Sequence, residues 1–174
     1  MLRIFLQETY VIEDVYYYNH MTSQVSDWGT GAGSINTQFS STGCKITGSA
    51  GNTVNEYVFS NTPPGDYEIE FDVTAIYFDS ASYGGTAMFI IDGVRAGWTN
   101  AGSNLNIWDS SSYDVGYQNF STPVHVKCTC IGGYVTIYTD NTNRGTYTKQ
   151  SSKIGVEAYN YRSITLKDIK IKLL

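Results

Sequence analysis

The chain has 174 residues, the size of one ordinary domain with a single core. Lys and Arg total 11 against 16 Asp and Glu, a net charge of −5, so no basic field exists to neutralise a phosphate backbone, and nucleic acid is excluded as a partner. Charged residues make up only 16% and aromatics 14%, with 15 Tyr, which favours strands; 41% hydrophobic residues are too many for a disordered chain.

At the start, MLRIFLQETYVIED carries one Arg and a short apolar stretch, then turns acidic without the apolar core and cleavage site of a secretory signal. No segment approaches the roughly 20 apolar residues of a membrane span. Period-two alternation recurs between turn-rich breaks, and no window sustains a helical period. The pattern predicts strands at 2–7 and 9–12, within an N-terminal arm of residues 1–14 that could pair with a neighbouring subunit. Further strands are predicted at 35–39, 44–47, 54–59, 66–76, 87–92, 124–131, 134–139, 153–158 and 163–173. Between them stand breakers such as SAGN, TPPGD, YGG, IDG, IGG and DNTNRG.

Alternation also predicts facing. In DYEIEFDV, Tyr67, Ile69, Phe71 and Val73 form the core side, and Asp66, Glu68, Glu70 and Asp72 the wet side. In SITLKDIKIKLL, Ile164, Leu166, Ile169, Ile171 and Leu173 oppose Thr165, Lys167, Lys170 and Lys172, with a phase shift at Lys167 and Asp168 that predicts a bulge. In PVHVKCTCI, Cys128 and Cys130 share a face with Val124 and Val126 and read as small core hydrophobes. With Cys44 the cysteine count is odd, which argues against a disulfide framework. The only histidines, His20 and His125, lie outside any ligand-spacing motif, and no metal or cofactor is predicted. Asp140, Asn141 and Asn143, and likewise Asp109 and Asp114, could supply calcium with oxygens, yet turn formation explains them more simply.

One-sided strands must pair face to face, so the chain is predicted to be all-β, a single two-sheet antiparallel sandwich over residues 1–174. The segments PGDYEIEFDV, MFIIDG, VHVKCTCIGGYVTIYTDN and KIGVEAYNYRSITLKDIKI resemble the concanavalin A-like jelly roll of legume lectins, laminin G-type modules and jelly-roll β-glucanases. That resemblance covers roughly residues 34–174 and implies a jelly-roll fold rather than a particular ligand. Residues 1–33, with DVYYYNHMTSQVSDWGTGAG, resemble the lead-in of phage and archaeal-virus appendage domains, which implies a virion or extracellular surface reached without a signal peptide.

The acidic run Glu68, Glu70 and Asp72 is similar to the E-x-D-x-E signature of jelly-roll β-glucanases. The resemblance would make Glu68 nucleophile, Glu70 its assistant and Asp72 proton donor; this chain departs from the signature at the second and third positions. A retaining pair needs carboxyls about 5 Å apart, whereas residues four apart on a strand are separated by about 13 Å at Cα. The solvated face of an amphipathic strand accounts for the same residues.

The stretch from Arg95 to Phe120 reads as a long connection of the functional kind. It gathers Trp98, Trp108, Tyr113 and Tyr117 with Asn104, Asp109 and Asp114, the flat aromatics and polar partners that a glycan requires. Alternation in NLNIWD equally allows a strand with Leu105 and Ile107 inward, and Trp98 could cap the sandwich. The expected function is a non-enzymatic carbohydrate-binding or surface-recognition module that stacks a glycan on Trp108 and Tyr113 or Tyr117, with Asp109 and Asn104 hydrogen bonding and Trp98 nearby. The alternative is a virion assembly component that oligomerises through residues 2–12.

Overall fold

The computed structural model describes residues 15–49, 54–77, 86–99, 104–108, 112–117 and 123–174, by backbone alone at 99, 104–105, 108 and 112–117. In chain order the strands are β1 (Val15–Asn19), β2 (Trp28–Thr30), β3 (Ile35–Ser40), β4 (Gly43–Gly48), β5 (Asn55–Phe59), β6 (Tyr67–Tyr77), β7 (Thr86–Ile91) and β8 (Val94–Thr99). They continue as β9 (Asn104–Trp108), β10 (Ser112–Tyr117), β11 (Val124–Ile131), β12 (Tyr134–Thr139), β13 (Thr142–Thr148), β14 (Ile154–Ala158) and β15 (Ser163–Leu173). No helix occurs among the described residues.

Two antiparallel sheets form a jelly-roll sandwich. Sheet A runs β13-β12-β11-β6-β15-β4-β3, and β1 pairs with the C-terminal half of β15 where β4 pairs with its N-terminal half. Sheet B runs β10-β9-β8-β7-β14-β5-β2. Several connections are hairpins whose two turn residues both have positive φ: Asp92–Gly93, Gly132–Gly133 and Asp140–Asn141. That is the backbone of the turn type whose twist matches its flanking strands, and it explains the IDG, IGG and TDN signals.

The core lies between the sheets because one face of each strand is apolar. Tyr67, Ile69, Phe71 and Val73 of β6 are buried, as are Val124, Val126, Cys128 and Cys130 of β11. Phe71 meets Phe89 of the opposite sheet edge to face at 5.1 Å. Each fully buried side chain of this size contributes about 2 kcal/mol. Near β1 an aromatic group closes the sandwich: Tyr17 stacks on Phe59 at 4.6 Å and accepts a bond from Trp28 Nε1 at 3.2 Å. Burial pushes the Cys44 and Cys130 thiols up to about 12, so all three free cysteines behave as inert hydrophobes.

The expected bulge in β15 is present. Its register against β6 shifts between Lys167 and Lys170, Asp168 has φ 53, and Ile169 returns to the core. Leu173, expected on the core face, is instead exposed where the sheet ends. The strands expected at 2–7 and 9–12, and the whole arm of residues 1–14, lie outside the described residues. The expectation of a long connection after Arg95 is corrected, because that stretch supplies most of β8 and all of β9 and β10. Gly, Asn and Ser dilute its β propensity, and cross-strand pairing in the finished sheet overrides that weak local preference.

Candidate functional site

Sheet A turns a charged face to water. Along β6, Glu68, Glu70 and Asp72 stand opposite Thr129, Lys127 and His125 of β11, and opposite Lys172, Lys170 and Lys167 of β15. The acidic row is therefore flanked on both sides by basic side chains. Lys127 Nζ bridges Glu68 and Glu70, and His125 Nδ1 lies 2.8 Å from Asp72 Oδ1. Pairing of this part of β6 with β11 is regular, and the bulge opposite Glu70 and Asp72 lies in β15 rather than in β6. Beside the β15 bulge, His20 Nδ1 is 2.5 Å from Asp168 Oδ1. The turn oxygens are also engaged: Asp140 Oδ1 accepts the His125 N–H, and Asn143 Oδ1 accepts the Gly145 N–H.

Sheet B is built differently on its outer side. In strand β7 the run AMFII (residues 87–91) is buried throughout, including Met88 and Ile90, which point away from the inter-sheet core. Register defines two rows across this face. One runs Asp114, Asn106, Gly97, Met88, Glu157, Glu56, and the other Trp108, Arg95, Ile90, Gly155, Val58, Gly29. Glu157 and Glu56 face each other as cross-strand partners with side chains only 8% and 6% exposed. Two carboxylates so placed repel, and each is offset by its own cation. Arg95 Nε donates to Glu157 Oε2 at 2.8 Å, and Lys153 Nζ donates to both oxygens of Glu56 at 2.9 and 2.8 Å. The cations sit at the rim, 38% and 40% exposed, with the carboxylates beneath them. Arg95 is thus anchored to Glu157 through Nε, while its guanidinium carries further donors on the terminal nitrogens.

The sequence-derived site divides accordingly. Trp98 is corrected: at 1% exposure it packs in the core with Ile107 and offers no platform to a ligand. Position 108 pairs with Arg95, and positions 104 and 117 pair with each other. Tyr113 pairs instead with Ile107, a core position, so its register row is not that of Trp108. Asp109 lies outside the described residues. Sequence reasoning missed Arg95, Glu157, Glu56 and Lys153. A usable signal existed in AMFII, which does not alternate; a strand apolar on both sides has both faces covered. Lone glutamates in NEYVF and IGVEA then mark polar groups on the second face.

No family model matches the chain, and no curated protein matches it. Solved structures share its fold. A sialidase aligns with TM-score 0.67 and 8% identity over 92% of this chain, which spans only 19% of that one. The carbohydrate-binding module CBM66 from Bacillus subtilis aligns with TM-score 0.55 and 15% identity, over 84% of this chain and 95% of that one. The Emp47p carbohydrate recognition domain aligns with TM-score 0.57 and 14% identity, over 90% and 95%. The architecture is thus the concanavalin A-like jelly roll that carbohydrate-binding modules and lectin-type domains use.

Proposed function

We propose that the chain is a non-enzymatic carbohydrate-binding module whose glycan lies at the rim of the outer side of sheet B, where Arg95 is exposed and pairs with Trp108. The observation that carries this reading is the pairing of Arg95 with Trp108 on adjacent strands. An aromatic residue supplies a surface for the apolar face of a sugar ring, and a guanidinium fork fixed by Glu157 supplies donors for neighbouring hydroxyls. Because Glu157 already orders Arg95, little side-chain entropy remains to be lost on binding. Likeness of fold to CBM66 and to the Emp47p domain supports the ligand class, and the engagement of Glu68, Glu70 and Asp72 by Lys127 and His125 supports the absence of hydrolysis.

A glycan array probed with the full chain tests this. Trp108→Ala and Arg95→Ala should each sharply lower the signal, Arg95→Lys should lower it less, and Glu68→Gln should leave it intact. An undiminished signal in both alanine variants would overturn the assignment; reducing sugar released by the native chain but not by Glu68→Gln would establish a hydrolase instead.

A second reading, assembly, rests on β1, which pairs only with β15 among the described strands and leaves Tyr16 and Tyr18 exposed. It predicts oligomers by light scattering that dissociate when Tyr16 and Tyr18 are replaced by Asp or, if residues 2–12 also pair with a neighbour, when residues 1–12 are deleted. Placement on a virion or extracellular surface goes with either reading and is tested by mass spectrometry of purified particles.

A further inference from the structure

The turn that carries the chain from sheet B to sheet A holds a strained aromatic. In the sequence AYNYRS, Asn160 and Tyr161 adopt φ 53 and 60 in succession. Asn tolerates this left-handed conformation, but a bulky Tyr rarely adopts it, because its Cβ crowds the backbone carbonyl. Burial does not compensate, since Tyr161 is 49% exposed. The turn is nonetheless firmly held: Tyr159 N–H donates to Thr86 O at 2.9 Å, and Gly48 N–H donates to Arg162 O at 3.1 Å. Gly48 is required there, because a Cβ at that position would lie 2.4 Å from Ala158 O. Strain retained in a well-fixed exposed aromatic is a mark of function rather than of packing.

Tyr161 borders an open groove of about 410 Å³, within the range of small-ligand sites. Ser34, Ile35, Asn36, Thr47 and Ser49 line the rest of it. Its polar groups are positioned from below by Asn55, which is fully buried and whose Oδ1 accepts from Ser34 N–H at 2.8 Å and Ser49 Oγ at 3.0 Å. Asn36 and Thr47 share one cross-strand row with Ser163 and with Tyr77, a second exposed tyrosine whose ring carries Lys45 Nζ at 5.6 Å. None of the lining residues named, nor Gly48, which completes the described lining, is charged. Hydroxyls, an amide and an exposed ring match a neutral polyhydroxylated ring.

We infer that this groove is a second saccharide subsite, separate from the outer side of sheet B, in which one neutral sugar ring stacks on Tyr161. The inference stands on its own lining and holds whether or not Trp108 binds a glycan. Methyl glycosides of glucose, galactose, mannose and N-acetylglucosamine, titrated into the isotope-labelled full chain, provide the test. At least one should give saturable amide shifts at Ser34, Gly48, Ser49 and Tyr161, unchanged in Trp108→Ala. Tyr161→Phe should keep the affinity. Tyr161→Gly should weaken it about tenfold while raising the Tm, because glycine accepts the turn without strain. Absence of saturable shifts with every glycoside, undiminished affinity in Tyr161→Gly, or a lowered Tm in that variant would each overturn the inference.

Discussion

The outer faces of the two sheets carry ion pairs of opposite character. On sheet A, Lys127 and its partners Glu70 and Glu68 are 33%, 27% and 13% exposed, so water reaches the row at Lys127 and Glu70. On sheet B, Glu157 and Glu56 lie under 10% exposed, beside the fully buried Met88 and Ile90. The first face is a solvated zipper in which loss of one partner is absorbed by water. The second is a desolvated floor in which each carboxylate depends on one cation. The fold thus keeps one face tolerant and fixes the other, and a fixed set of polar groups is what selective recognition needs.

Position-matched substitutions break or sharpen this contrast. The largest effect is expected from Ile90→Asp, which places an unpaired carboxylate on the sheet B floor and should abolish cooperative unfolding. Thr136→Asp, on the outer side of β12, should shift the Tm little. Equal effects in thermal melts would show the two faces to be alike. The interior responds next, to alkali. Burial raises the Cys44 thiol from 9.0 to about 12, does the same for Cys130, and raises the Tyr57 phenol from 10.0 to about 12. Each group keeps its proton in the fold at a pH where the unfolded chain has lost it. Their stabilisation is complete below about pH 9 and declines toward pH 12, at about 1.4 kcal/mol per pH unit for each group. Melts from about pH 8 to about pH 11 should show a Tm that falls steeply, with a shallower fall in Cys44→Ala. A flat profile would contradict burial of these groups.

Arg95→Ala should come third, at about 3 kcal/mol by denaturant titration, because it strands Glu157 without its cation in a desolvated position. Arg95→Ala with Glu157→Leu should recover most of that loss. A cost under about 0.5 kcal/mol for the single variant would mean that water reaches the carboxylate.

Legibility in the sequence follows the same division. Sheet A strands alternate, and apart from Leu173 the apolar residues of DYEIEFDV, PVHVKCTCI and SITLKDIKIKLL fall on the expected core face, down to the bulge at Asp168. Alternation is a local record of one-sided burial, so it can be read without knowing the neighbours. Sheet B strands β7 and β14 are buried on both faces and lose that record. β8 and β10 contain glycine and polar residues whose strand state depends on the partner strand. β13, TNRGTYT, looks like a turn because its asparagines and glycine speak louder locally than its pairing with β12. The residues proposed for recognition are half legible: Trp108 stands out by type, whereas Arg95 and Glu157 are 62 residues apart and meet only through strand order. Tyr161 carried no signal, since a positive φ at tyrosine cannot be read from residue type.

The smallest expected effect lies on the sheet A zipper and is the most direct test of its role. Lys127 holds Glu68 and Glu70, and Glu70 also faces Lys170 across β15. Removing one partner from a solvated row leaves the others free to re-pair along it, so Lys127→Ala should cost about 0.5 kcal/mol or less. Added salt should shrink that difference, because screening acts on exposed charges and scarcely on buried ones. The Arg95→Ala penalty on sheet B should by the same reasoning survive high salt. A Lys127→Ala loss that is large and salt-insensitive would mean that the acidic row is desolvated and strained. Glu68, Glu70 and Asp72 would then form a chemical site rather than a structural ladder, and the hydrolase reading would regain its ground.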